Sequence, residues 1–164
     1  MWISARTPLP HGARWVVTPL RRTQQTAAEI QRAGYPAVAP VVEDGLTEQD
    51  LGEWQGLKHA ELPARLREPA HAFWPLGATE TPPGGESMQH VVHRVGAALD
   101  RLAGSAADVV AVSHGGAIRA AVAHAMGATA HHVLHLSVQN LSLTVLERVA
   151  EGWRVVSVNE TPAP

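Results

Sequence analysis

The sequence predicts an open α/β fold, a sheet flanked by helices and closed at its C-terminal end by an antiparallel hairpin. Three stretches carry that expectation. Val109-Val110-Ala111-Val112 is a run of small and β-branched residues, the composition of a strand buried on both faces. Ser113-His114-Gly115-Gly116 then turns it into a helix-forming run over residues 117–126, which Gly127 stops. Arg14-Trp15-Val16-Val17-Thr18 repeats the strand-to-helix pattern, with Thr18 placed as N-cap and Pro19 at the first helical position. Residues 141–149 and 153–158 alternate apolar with polar about Ala150-Glu151-Gly152, as hairpin strands do.

The remaining elements follow in order. Residues 1–4 can form a very short strand, and Thr7-Pro8-Leu9-Pro10-His11-Gly12 is loop chemistry. His11 precedes a strand instead of following one and is read as a loop histidine. The helix begun at Pro19 runs to Gly34. Val38-Ala39-Pro40-Val41-Val42 is a short strand that Pro40 confines to a sheet edge. Residues 43–56, rich in acids and glycines around Trp54, form an irregular loop of the kind that carries function. Residues 59–74 read as helix broken at Pro63 and Pro69, an excursion from the sheet, and Thr81-Pro82-Pro83-Gly84-Gly85 is a turn.

Glu86-Ser87 opens a helix with an apolar stripe through Met88, Val91, Val92, Val95, Ala98, Leu99 and Leu102 and a stop at Gly104. His90 and His93 fall off that stripe and are read as surface residues. His131 and His135 share one helical face, but no nearby carboxylate completes a ligand set, so no metal is expected there. Residues 161–164 are a frayed tail.

With 164 residues and 45% hydrophobic content, the chain is sized for a single domain over 1–164. A net charge of −2 argues against nucleic-acid binding, which needs a basic stripe. There is no cysteine, which excludes disulfides and thiolate metal sites. No apolar run approaches the roughly 20 residues of a membrane span, and the first residues lack the pattern of a signal peptide, so a cytoplasmic location is expected.

His114 marks the candidate site. It stands at the carboxyl edge of a strand, where ligands of open α/β sheets bind, and the helix beginning at Gly115 offers backbone N–H groups to an anion. Arg21 and Arg22 fall in the first turn of a helix, where the macrodipole disfavours cations. An anion such as phosphate sharing the site removes that conflict, since a guanidinium fork and a helix N-terminus hold it together. Two solvated arginines are the alternative. Glu48 and Glu53 are the loop acids placed to act as a general acid if desolvated; exposed loop acids are the plainer reading.

Taken together these pieces resemble the histidine phosphatase superfamily, the phosphoglycerate mutase-like fold. The resemblance rests on Val17-Thr18-Pro19-Leu20-Arg21-Arg22-Thr23-Gln24-Gln25-Thr26-Ala27, on Leu46-Thr47-Glu48 through Gly52-Glu53-Trp54-Gln55-Gly56, on Pro83-Gly84-Gly85-Glu86-Ser87, on Val112-Ser113-His114-Gly115-Gly116 and on the closing hairpin, all in family order. It implies a three-layer α/β/α domain with a mostly parallel sheet, acting on a phosphate-bearing small molecule without metal or cofactor. It implies Arg22 as a phosphate clamp, Glu48 as proton donor to the leaving group and His114 as the second histidine steadying the phosphoryl group. Arg21 and the backbone of Gly115 are expected to assist in holding phosphate.

The family's nucleophilic histidine sits in an Arg-His-Gly motif at the end of a first strand, and no such tripeptide occurs in these 164 residues. Three expectations therefore stand side by side: an N-terminally truncated phosphatase or phosphomutase, a pseudo-phosphatase serving as a phosphate-binding or protein-interaction module, and a scaffold with a vestigial pocket. In the family the absent strand lies beside the one that ends at His114. Residues 1–4 are expected to replace it, or a partner chain in a homodimer, or else the two flanking strands pair directly.

Overall fold

Trp15 and Val17 alternate with Val16 along one strand, and that alternation divides the molecule's core between the two faces of a sheet. The computed structural model describes residues 9–36, 38–104 and 107–161. Its elements run β1 (Arg14–Val17), α1 (Arg21–Arg32), β2 (Val41–Val42), 3-10 turns at Asp44–Leu46, Gly52–Trp54 and His59–Glu61, then α2 (Met88–Ala103), β3 (Val109–Val112), α3 (Gly115–Met126), α4 (Ala130–Val133), β4 (Leu143–Val149) and β5 (Gly152–Glu160).

Among the described residues β2, β1 and β3 form one parallel sheet in that order, and β4 and β5 form a separate antiparallel one. Val17 lies opposite Val112 in β3 and Val42 in β2. On one face Val16 packs with Val91, Val95, Ala98, Ala117, Ala120 and Leu134 beneath α2 and α3. On the other, Trp15, Val17 and Val110 pack with Ala27 of α1. Burying each of the larger side chains contributes about 1.5–3 kcal/mol, so helices are held on both faces and the layers are α/β/α. The hairpin packs Leu146, Val155 and Val158 against Val122 and Ala123 of α3.

Several elements are as the sequence predicts. Ser87 caps α2 by accepting the His90 N–H at 3.2 Å, and Gly127 ends α3 at φ 63°, a left-handed conformation that suits glycine. The edge strand beside Pro40 is shorter than expected, Val41–Val42 alone. Others differ. The 59–74 segment is not a broken helix: apart from the His59–Glu61 turn it is irregular, because Pro63 and Pro69 interrupt it and its apolar residues serve a local cluster of Trp54, Leu62 and Leu76.

Thr18 is not an N-cap. Helix α1 starts at Arg21 after Leu20, and the Thr18 hydroxyl is turned inward instead. Ala111 of β3 is exposed, since β3 has β1 on one side and, among the described residues, no strand on the other. The strands flanking that side do not pair directly, for the hairpin forms its own sheet. The expected strand over residues 1–4 and most of the 161–164 tail lie outside the described residues. Among the described residues no helix is long and apolar enough to cross a membrane.

Candidate active site

β1 and β3 are parallel neighbours, so the segments leaving their carboxyl ends emerge side by side. Thr18 follows β1, and His114 follows Ser113 at the end of β3 as the residue preceding α3. The His114 ring is 6% exposed. Arg22, on the first turn of α1, donates its Nε–H to His114 Nδ1 at 3.1 Å. A guanidinium N–H only donates, so Nδ1 is the accepting nitrogen and the neutral ring carries its proton on Nε2. That Nε2 lies 2.9 Å from the Thr18 hydroxyl, which is 3.0 Å from the Thr23 hydroxyl, which donates to the Leu20 carbonyl at 2.9 Å. The proton of His114 is thus the head of a hydroxyl chain ending on the backbone at the start of α1.

Glu48 arrives from the irregular loop. Its carboxylate accepts the Gln49 N–H at 3.0 Å and the Gly116 N–H at 3.2 Å. The N-terminus of α3 is therefore not left free for an incoming anion, as the sequence suggests; the chain's own carboxylate already holds one of its donors. Gly116 permits that approach, because a Cβ there would collide with Glu48 Oε1. The loop is fastened from below by Arg94, whose Nη1 donates to the carbonyls of Gly45 and Thr47 at 3.0 Å each and whose Nη2 pairs with Glu86 at 2.6 Å. The Ser113 hydroxyl donates to the Leu46 carbonyl at 2.7 Å, tying the same loop to the end of β3.

The expected residues do not all converge. Arg22, Glu48, His114 and Gly115 stand together. Arg21 is exposed and has no hydrogen bond or ion pair among the described residues; one position along a helix turns it about 100° from Arg22. Glu53 is exposed, and His11 sits at the amino end of β1, away from the carboxyl edge.

Burial pushes the His114 imidazole below its ordinary pKa of 6.5, the Arg22 and Arg94 charges push the same way, and Glu48 opposes them. The ring is neutral at neutral pH. Unfolding restores the ordinary value, so below 6.5 the unfolded chain binds a proton that the folded one resists. The associated stability is present above pH 6.5 and is lost as pH falls through the window beneath it. Thermal melts at pH 7.5 and 5.5 are expected to show a lower midpoint at the acid pH, and His114→Gln is expected to shrink that difference. His71, whose pKa burial also lowers, acts in the same direction.

Against this geometry the comparisons are specific. The profile of the histidine phosphatase superfamily (branch 1) matches residues 6–161. The chain belongs to the histidine phosphatase superfamily. It is 37% identical over 149 residues to the bifunctional protein Rv2228c of Mycobacterium tuberculosis, an alignment that covers 89% of this chain and 40% of that one. It is 35% identical over 122 residues to a glucosyl-3-phosphoglycerate phosphatase of Mycolicibacterium vanbaalenii, covering 68% of this chain and 52% of the relative. The chain thus spans about half or less of the curated relatives it matches. Among solved structures it resembles a mycobacterial glucosyl-3-phosphoglycerate phosphatase in complex with vanadate, at TM-score 0.77 and 31% identity, covering 97% of this chain and 79% of that one.

Side chains that the sequence did not single out also pack beside Gly115 and Glu48. Arg119 lies one helical turn beyond Gly115, a spacing that puts both on one face of α3. It donates Nε–H to the Leu136 carbonyl at 2.9 Å and its guanidinium lies 4.8 Å from the centre of the Trp74 ring. Trp74 in turn donates Nε1–H to Gln49 at 3.1 Å, next to Glu48. The helical spacing of Arg119 was a readable signal. Trp74 carried none, because only tertiary packing brings the 59–85 excursion over α3.

Proposed function

We propose that the chain binds the phosphoryl group of a phosphorylated small molecule at the outward N–H groups of Arg22 and the backbone N–H of Gly115, with His114 steadying Arg22 from beneath and Glu48 as the acid beside the leaving group. The observation that supports this reading is the 3.1 Å bond from Arg22 to His114, which holds a guanidinium at the carboxyl edge of the sheet between two neighbouring helix starts. Arg22 is exposed on its outer side, so its remaining N–H groups face incoming ligand. Residues 1–164 act as one domain in this reading, with no metal or cofactor required at this cradle.

Turnover is a separate matter. The family resemblance assigns covalent attack to a histidine in Arg-His-Gly, absent from these residues. His114 does not replace it: Nδ1 is taken up by Arg22 and Nε2 carries a proton, so neither nitrogen offers a lone pair to phosphorus. The 164-residue chain by itself is therefore a binder without phosphohistidine turnover. A second reading, hydrolysis of a phosphate ester on a sugar or glycerate, is favoured by the phosphatase names of the relatives.

Titration of the 164-residue chain with inorganic phosphate and with vanadate is expected to show binding. Arg22→Ala is expected to weaken it roughly tenfold to a hundredfold, the worth of one or two charge-assisted hydrogen bonds, and Arg21→Ala to change it little. Absence of binding in the parent chain sinks the reading. Hydrolysis of p-nitrophenyl phosphate that disappears in His114→Ala replaces it with the second.

A further inference from the structure

His71 comes from the excursion, His131 from α4 and His135 from the segment after it, and the three meet. The sequence reading of His131 and His135 as a pair without a partner is corrected here: the partner is an imidazole sixty residues away, which no local spacing reveals. One ligand nitrogen from each ring lies within 4.8 Å of the other two. The ring centres are 4.7 Å apart for His71 and His131, 4.6 Å for His71 and His135, and 5.8 Å for His131 and His135.

We propose that His71, His131 and His135 form a binding site for a divalent transition ion of the zinc class, held by three imidazoles and completed by water. Imidazole nitrogens suit zinc, copper, nickel and cobalt and disfavour magnesium and calcium, which take oxygen ligands. Three nitrogens about 2.1 Å from one tetrahedral ion stand about 3.4 Å from each other, so each pair closes by at most about 1.4 Å. That closure falls to His131 and His135, both exposed and free to turn. His71 is the fixed member, 8% exposed and held by its N–H bond to the Leu76 carbonyl.

Partial burial and the two neighbouring imidazoles lower the pKa of His71, which keeps it neutral and able to ligate where an ordinary histidine begins to protonate. Its Nδ1 accepts the Phe73 N–H at 3.2 Å. Ligation costs that one long hydrogen bond, whether the ion takes Nδ1 directly or takes Nε2 and shifts the ring proton.

The ion would join two parts of the chain that both touch the anion cradle. Trp74, three residues from His71, supports Arg119 and Gln49; Leu136, next to His135, accepts the Arg119 Nε–H. Loading the site therefore pins the excursion to α4 on either side of Arg119. The site stands independently of the phosphate reading.

Cobalt titration of the full 164-residue chain tests this. The expected result is one equivalent of bound Co2+ with the intense visible bands of a four- or five-coordinate nitrogen site, and a rise in the thermal midpoint with Zn2+. The double variant His131→Gln/His135→Gln is expected to melt at the same temperature as the parent without metal, since both side chains are exposed, and to weaken binding at least tenfold. His71→Gln checks the buried ligand. Weak octahedral bands in the parent, or undiminished binding in the double variant, overturn the proposal.

Discussion

Gly52→Ala is expected to lower the unfolding free energy by about 3–5 kcal/mol, read as a midpoint roughly 10 °C lower. Gly52 adopts φ 49°, and a Cβ there would collide with the Pro83 carbonyl and stand 2.5 Å from Gly85 N and 2.6 Å from Gly84 C. These are backbone atoms, which cannot rotate away. The two loop segments touch main chain to main chain: Glu53 N–H donates to Pro83 O at 2.9 Å and Glu86 N–H to Asp50 O at 2.9 Å. A methyl group between them breaks that ladder and loosens buried Trp54. Gly56→Ala is the control. Its φ is 83° with nothing within 4 Å of the added carbon, so only conformational strain of about 1 kcal/mol applies. Equal midpoints for the two variants would show that the close approach does not govern stability.

Arg94→Met is expected to cost about 2–4 kcal/mol in urea unfolding. Methionine keeps the stem but removes the donor of the Gly45 and Thr47 carbonyls and the cation paired with the Glu86 carboxylate, which keeps only the Asp50 N–H at 3.1 Å. The side chains of Arg94 and Glu86 are 27% and 20% exposed, enough burial for an uncompensated charge to matter. Adding Glu86→Gln is expected to restore part of the loss by removing that charge. Arg101→Met is the contrast, since Arg101 is 59% exposed where it pairs with Glu43 and its removal should cost under about 1 kcal/mol. Because Arg94 holds the loop bearing Glu48, the variant should also weaken phosphate binding in proportion to its lost order, not by direct contact.

How far the sequence speaks depends on the range of the interaction. Periodicity exposed α2, because its stripe from Met88 to Leu102 faces the core, with Val92 and Leu99 half-buried at its margins, and Ser87 with Gly104 bounded it. His114 and Arg22 were legible as a site because each breaks a local rule, one at a strand-to-helix hinge and one as a cation in a first helical turn. Thr18 misled: a threonine before proline reads as a cap, but its hydroxyl bonds inward to Thr23 and to the His114 imidazole from far along the chain. The 59–74 segment misled for a similar reason, as Leu62 and Leu76 answer to Trp54 and not to a helical face. His71 was silent altogether, for its partners lie beyond any window of sequence.

The parallel register of Val17 with Val112 has one more implication. Thr18 and His114 follow adjacent strands of one ladder, whose rails are fixed at about 4.8 Å by peptide geometry and not by any side chain. The spacing of the segments that leave these two strands is thus set by the backbone. Drift in the loops above changes what surrounds those segments while the ruler beneath them stays the same length.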